Sequence, residues 1–68
     1  MKPDDFQLQM RLTRARIETA QGIREIYDMR DSYEPDEYLD GVLDELLMAS
    51  TCLSVAQATL TEWRRLDD

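Results

Sequence analysis

The sequence predicts an all-α protein, an antiparallel two-helix hairpin that dimerises into a four-helix bundle. Three observations carry this expectation. Only two glycines and two prolines interrupt 68 residues, whereas a β fold needs turn residues about every 8–12 positions. An apolar pattern with alternating steps of three and four runs through the second half of the chain. Finally, proline followed by two carboxylates occurs twice, at Pro3 and at Pro35. Each is a helix-start signature, because proline there loses no hydrogen bond and the acids meet the positive end of the dipole.

The first helix is expected over about 4–30. Pro3, Asp4 and Asp5 make its first turn, and no further proline follows before Pro35. Gln7, Arg11, Arg14, Glu18, Gln21 and Glu25 fall at helical spacing as one polar stripe. The segment 31–34 is read as the turn. The second helix is expected over about 35–65, with Arg64 and Arg65 at the negative end of its dipole. Residues 1–68 thus form a single helical-hairpin domain, near the lower size limit for an independent core.

The second helix carries a heptad seam of Leu39, Val42, Leu46, Ala49, Leu53, Ala56, Leu60 and Trp63. The first offers Phe6, Met10, Thr13, Ile17, Ala20, Arg24 and Tyr27 in the same rhythm. Folded back, Phe6 meets Leu60, Met10 meets Ala56, Thr13 meets Leu53, Ile17 meets Ala49 and Ala20 meets Leu46. Most of these pairs set a large side chain against a small one, as an interdigitated core requires. Arg24 opposite Val42 is the exception, and Tyr27 with Leu39 closes the seam. Each helix is roughly 40 Å long at about 1.5 Å per residue.

This hairpin leaves Leu8, Leu12, Ala15, Ile23 and Ile26 of the first helix, and Leu43 and Leu47 of the second, for another face. Two helices alone bury too little to offset about 1.5 kcal/mol of ordering entropy per residue. Those residues are therefore expected to form a homodimer interface, C2 pairing being the commonest closed symmetry. The alternative is a hairpin completed by a different protein.

Composition excludes several classes of function. The net charge is −7, so the chain lacks the basic footprint of a protein that binds nucleic acid or anionic membranes directly. Its expected partner is a protein with a basic surface. One cysteine, Cys52, excludes an internal disulfide and fits a reducing compartment. The opening "MKPDDFQLQM" has no apolar core of a signal peptide. The longest apolar run, Leu46–Ala49, is too short for a bilayer span. A soluble cytoplasmic protein is the expectation.

Histidine is absent, which removes Ser–His–Asp and Cys–His catalysis, histidine zinc sites and Glu-x-x-His di-iron sites. There is no glycine-rich phosphate loop. Cys52, in "STCLSV", has no basic neighbour within four residues and reads as a buried structural thiol. The stretch "DEYLDG" imitates the start of an EF-hand loop, with Asp36, Asp40 and Gly41 at positions one, five and six. However, Tyr38 and Leu47 occupy positions three and twelve, where ligands belong. No metal, cofactor or enzymatic activity is expected. Gly22 and Gly41 within the helices each cost about 1 kcal/mol against alanine. They mark either close approach of a helix or tolerated drift.

Charge is concentrated at one place. Between Asp28 and Glu45 stand eight carboxylates and one arginine, which accounts for the full net charge. Asp36 and Glu37 suit the start of the second helix, but Asp28 and Asp31 oppose the dipole at the end of the first. The three tyrosines gather here, Tyr27 directly before this stretch and Tyr33 and Tyr38 within it. Tyrosine supplies rigid area with a polar tip and is enriched in protein interfaces, while surrounding acids steer it to a basic surface. The expected partner-binding residues are Tyr33, Glu34, Asp36, Glu37, Tyr38, Asp40 and Asp44.

In size, acidity and two-helix plan, with the acidic, tyrosine-bearing "DSYEPDEYLD", the chain resembles the small phage-encoded anti-activators of quorum-sensing transcription factors. That resemblance implies a dimeric helical inhibitor that binds a regulator in the host cytoplasm and prevents its DNA binding. Through "PDEY", Pro35 to Tyr38, and the apolar run after it, the chain also resembles the co-chaperones of type III secretion needle subunits. Its C-terminal "ATLTEWRRLDD" departs from the aliphatic-rich turns of that family. This second resemblance implies an apolar helical face covering an amphipathic helix of a partner.

Overall fold

A computed structural model of the chain describes residues 3–32 and 36–66. They form two helices, α1 (Phe6–Ser32) and α2 (Glu37–Arg65), packed along each other. The ion pairs Asp5–Arg64 and Arg30–Asp40 tie opposite ends of the hairpin, so the helices run antiparallel. The rod measures 54 × 15 × 12 Å.

Both helix starts use a carboxylate as a cap, and α2 also carries Glu37 and Asp40 in its first turn. The Phe6 N–H donates to Asp4 Oδ1 at 2.9 Å, and α1 has no acid in its first turn. Asp36 is extended at φ −134°, ψ 119°, and its Oδ1 accepts from the N–H groups of Tyr38 and Leu39 at 2.8 and 3.4 Å. A cap needs non-helical backbone so that its side chain reaches back to the orphan donors. Each helix therefore begins two residues later than the proline-acid reading, and α1 ends at Ser32 instead of about 30. The turn residues Tyr33, Glu34 and Pro35 lie outside the described residues. Arg30 closes α1 and Arg64 and Arg65 close α2 with cations, the favourable sign at a C-terminal dipole end.

Among the described residues, only Ile26 and Leu43 are buried, at 6% and 5% exposure. Around them, Leu12, Ala15, Thr19, Gly22 and Ile23 of α1 are half-buried, as are Leu39, Leu46, Ala49, Ser50, Leu53, Gln57, Leu60 and Trp63 of α2. The seam on α2 is largely the heptad read from the sequence, although Val42 and Ala56 are exposed.

The face of α1 differs. Phe6, Met10, Ile17 and Tyr27 are 48–59% exposed, while Leu12, Ile23 and Ile26 turn inward. The inward set lies one residue earlier than the expected one, which is a rotation of α1 by about 100°. Register shifts with it. Gly22, not Ala20, faces Leu46, where a Cβ would sit 3.6 Å from Cδ1. Thr13 accepts a hydrogen bond from Gln57 Nε2 at 3.2 Å instead of packing on Leu53. Arg16 Nη1 also donates to Gln57 Oε1. The seam is thus apolar beside the turn and polar toward the open end.

This rotation reassigns the residues set aside for a dimer. Leu12, Ala15, Ile23, Ile26 and Leu43 turn into the hairpin's own seam, and only Leu8 and Leu47 of that set stay outside, 48% and 43% exposed. Cys52 is exposed rather than buried, because it precedes the seam residue Leu53 by one position and so points about 100° away from it. Gly41 has nothing within 4 Å of the position a Cβ would take, so no neighbouring helix approaches it within the hairpin.

A candidate protein-binding tip

The acidic end is built from the last turn and a half of α1 and the first two turns of α2. The Asp36 cap fixes where α2 begins and so fixes the direction of Tyr38 in its first turn. Tyr38 is 86% exposed. Gly41 follows one turn later, with nothing within 4 Å of the position a Cβ would take. Glu45, at i+7 from Tyr38, continues that face and is exposed.

Glu37, Asp40 and Asp44 follow the i, i+3, i+7 pattern and share an adjoining face, all three exposed. Asp28 and Asp31, exposed at the end of α1, complete the charged end. Arg30, the one basic residue of the sequence between Asp28 and Glu45, is held in place on two sides. Its Nε lies 3.4 Å from Asp40 Oδ1, and its guanidinium stands 5.9 Å from the centre of the Tyr27 ring. Both members of the ion pair are about half exposed, so the pair contributes about 0–1 kcal/mol. Its larger effect is on the local field: it offsets Asp40 and leaves Glu37, Asp44 and Glu45 to dominate the acidic face of α2.

The expected partner-binding residues therefore separate. Glu37, Tyr38, Asp40 and Asp44 are together on the first two turns of α2 and exposed. Asp36 is exposed too, but its carboxylate is engaged with its own helix. Tyr33 and Glu34 lie outside the described residues. Sequence reasoning missed two features here. An acid directly before a helix is an N-cap signal as much as a ligand signal, which bears on Asp36. The Arg30–Asp40 pair needed the register of the hairpin and had no local signal. Tyr27, expected to close the seam, is 48% exposed and belongs with this surface.

Among the described residues, no group of three or more cysteines and carboxylates converges to hold a metal ion. No helix there is long and apolar enough to cross a membrane. No protein-family model, curated protein or solved structure matches the chain.

Proposed function

We propose that this chain is a non-enzymatic binding protein that masks a basic surface of a regulatory protein with its acidic, tyrosine-bearing tip. The favoured target is a DNA-binding surface, since that is a common basic surface in a cytoplasm, and the protein acts there as a dimer of hairpins, a four-helix bundle. The observation that carries the reading is Tyr38, 86% exposed on a capped helix start between Glu37 and Asp40. An aromatic side chain held out from a rigid element with acids around it is an anchor ready to be desolvated, and the acids provide long-range attraction. Masking a DNA-binding surface is also what the resemblance to phage anti-activators implies.

The test is capture from bacterial lysate by the wild type and by a Glu37→Lys, Asp44→Lys variant. Neither residue caps α2 or pairs with Arg30, so helicity is expected to be retained. The wild type should capture a basic DNA-binding protein and release it in high salt, and the variant should capture none. Equal capture by both, at unchanged circular dichroism, contradicts the tip as the binding surface.

A second reading draws on a different observation. Phe6, Met10 and Ile17 expose an apolar row along α1, which suits coverage of an amphipathic partner helix, as in the secretion co-chaperones. Binding indifferent to salt and abolished by Ile17→Asp favours that reading.

A further inference from the structure

One groove between the helices differs in chemistry from the acidic tip. Two hollows make it up, of about 470 and 340 Å³, and Arg16 of α1 and Gln57 of α2 line both. Ser54 lines the larger hollow, and Ser50 the smaller. We propose that this groove is a second binding surface, in which Arg16 and Ser54 take one carboxylate side chain of an acidic segment on a partner protein. It is independent of the masking tip and has the opposite sign of charge.

Charge selects the class of ligand. From Phe6 to Ile17 the chain has three arginines and no acid, and from Leu46 to Thr61 it has no charged residue. These stretches give an acidic protein a positive band. Of its arginines, only Arg16 lines the groove. Asp5, one turn before Gln9, is already engaged by Gln9 Nε2 at 2.9 Å and Arg64 Nε at 3.5 Å. Among the described residues, Arg16 bonds an amide and no carboxylate. One guanidinium balances one negative charge, and the neutral groups around it add hydrogen bonds without adding charge. That suits a single carboxylate and not a polyanion, which the net charge of −7 repels.

Geometry supports the same assignment. Gln57 Oε1 accepts from Arg16 Nη1, and Gln57 Nε2 donates to Thr13 Oγ1 at 3.2 Å. Both ends of this amide are engaged, so the guanidinium is oriented before a ligand arrives, which lowers the cost of binding. Thr19, Thr51, Thr59 and Thr61 each donate their hydroxyl to the carbonyl four residues earlier. Among the described residues, Ser50 and Ser54 make no such bond. Ser54 is exposed in the hollow it shares with Arg16, so its hydroxyl can donate to the second oxygen of a carboxylate on the guanidinium. The groove opens to solvent and does not enclose a free small molecule as a ligand pocket does. A side chain offered by a protein segment fits it.

The experiment titrates the full chain, labelled with nitrogen-15, with blocked Ala-Glu-Ala and Ala-Gln-Ala peptides and with inorganic phosphate, at constant ionic strength. The Arg16 Nε–H and Ser54 amide resonances should shift saturably with the glutamate peptide and stay in place with the glutamine peptide. Arg16→Gln should weaken binding about tenfold, and Ser54→Ala about threefold. Both residues are exposed, so circular dichroism should be unchanged. Arg14→Gln removes the same charge outside the groove and should leave the affinity as it is. Absence of the shifts, equal shifts with both peptides, or equal weakening by Arg14→Gln overturns the site. Tighter binding of phosphate than of the glutamate peptide overturns the carboxylate assignment.

Discussion

Asp36 shows how one residue separates structural from functional acidity. Its carboxylate caps α2 through Tyr38 and Leu39, so its charge serves the helix first. Asp36→Ala should cost about 1 kcal/mol, read as a fall in melting temperature of about 4–8 °C for a domain of this size. The same change should disturb Tyr38, because the cap fixes the turn that carries it. The glycines make the opposite prediction. Gly41→Ala meets open space and Gly22→Ala meets Leu46 at an ordinary contact distance. Each should raise stability by about 1 kcal/mol, and a loss of stability in Gly22→Ala would mean that the helices approach more closely at Leu46 than 3.6 Å from that Cβ position.

The two helices were legible in the sequence because their signals are local. Proline, acids, heptad spacing and terminal arginines each act within a turn or two of the chain. The seam of α2 was legible for the same reason, since Leu39, Leu46, Leu53 and Leu60 leave one strongly apolar line. Helix α1 has two such lines, Phe6–Met10–Ile17–Tyr27 and Leu12–Ile23–Ile26, about 100° apart. Choosing between them requires knowing what Gln57 and Leu46 present from α2, which periodicity in α1 does not contain. Gln57 bonds Arg16 and Thr13, and Leu46 packs beside Gly22. At the tip, the exposed acids were legible as composition, while the Arg30–Asp40 pair depended on that same register. A consequence follows for the seam's apolar half. Leu43→Ala should cost about 2–5 kcal/mol by leaving a cavity against α1. Urea denaturation followed by circular dichroism checks this, with a strongly lowered midpoint expected and an unchanged one excluding Leu43 as the centre of the core.

The whole molecule is a thin rod with very little interior. Two buried residues among those described, beside a row of exposed large apolar side chains, are few to offset about 1.5 kcal/mol of ordering entropy per residue. Pairing of two hairpins into the proposed four-helix bundle would supply the missing burial, and melting temperature should therefore rise with protein concentration. Charge is equally uneven along the rod, with the full net charge at the acidic tip and the rest of the chain summing to zero. That unevenness gives association a direction as well as a rate.

The proposed masking function requires that the tip act through charge around an aromatic anchor. The most direct measurement is the association rate of the wild type with its captured DNA-binding partner at low and at high salt. Steering by Glu37, Asp44 and Glu45 predicts an association rate that falls steeply with salt while dissociation changes little. A Tyr38→Ala variant should keep the steep salt dependence but dissociate faster. An association rate independent of salt, or a dissociation rate untouched by Tyr38→Ala, would contradict it.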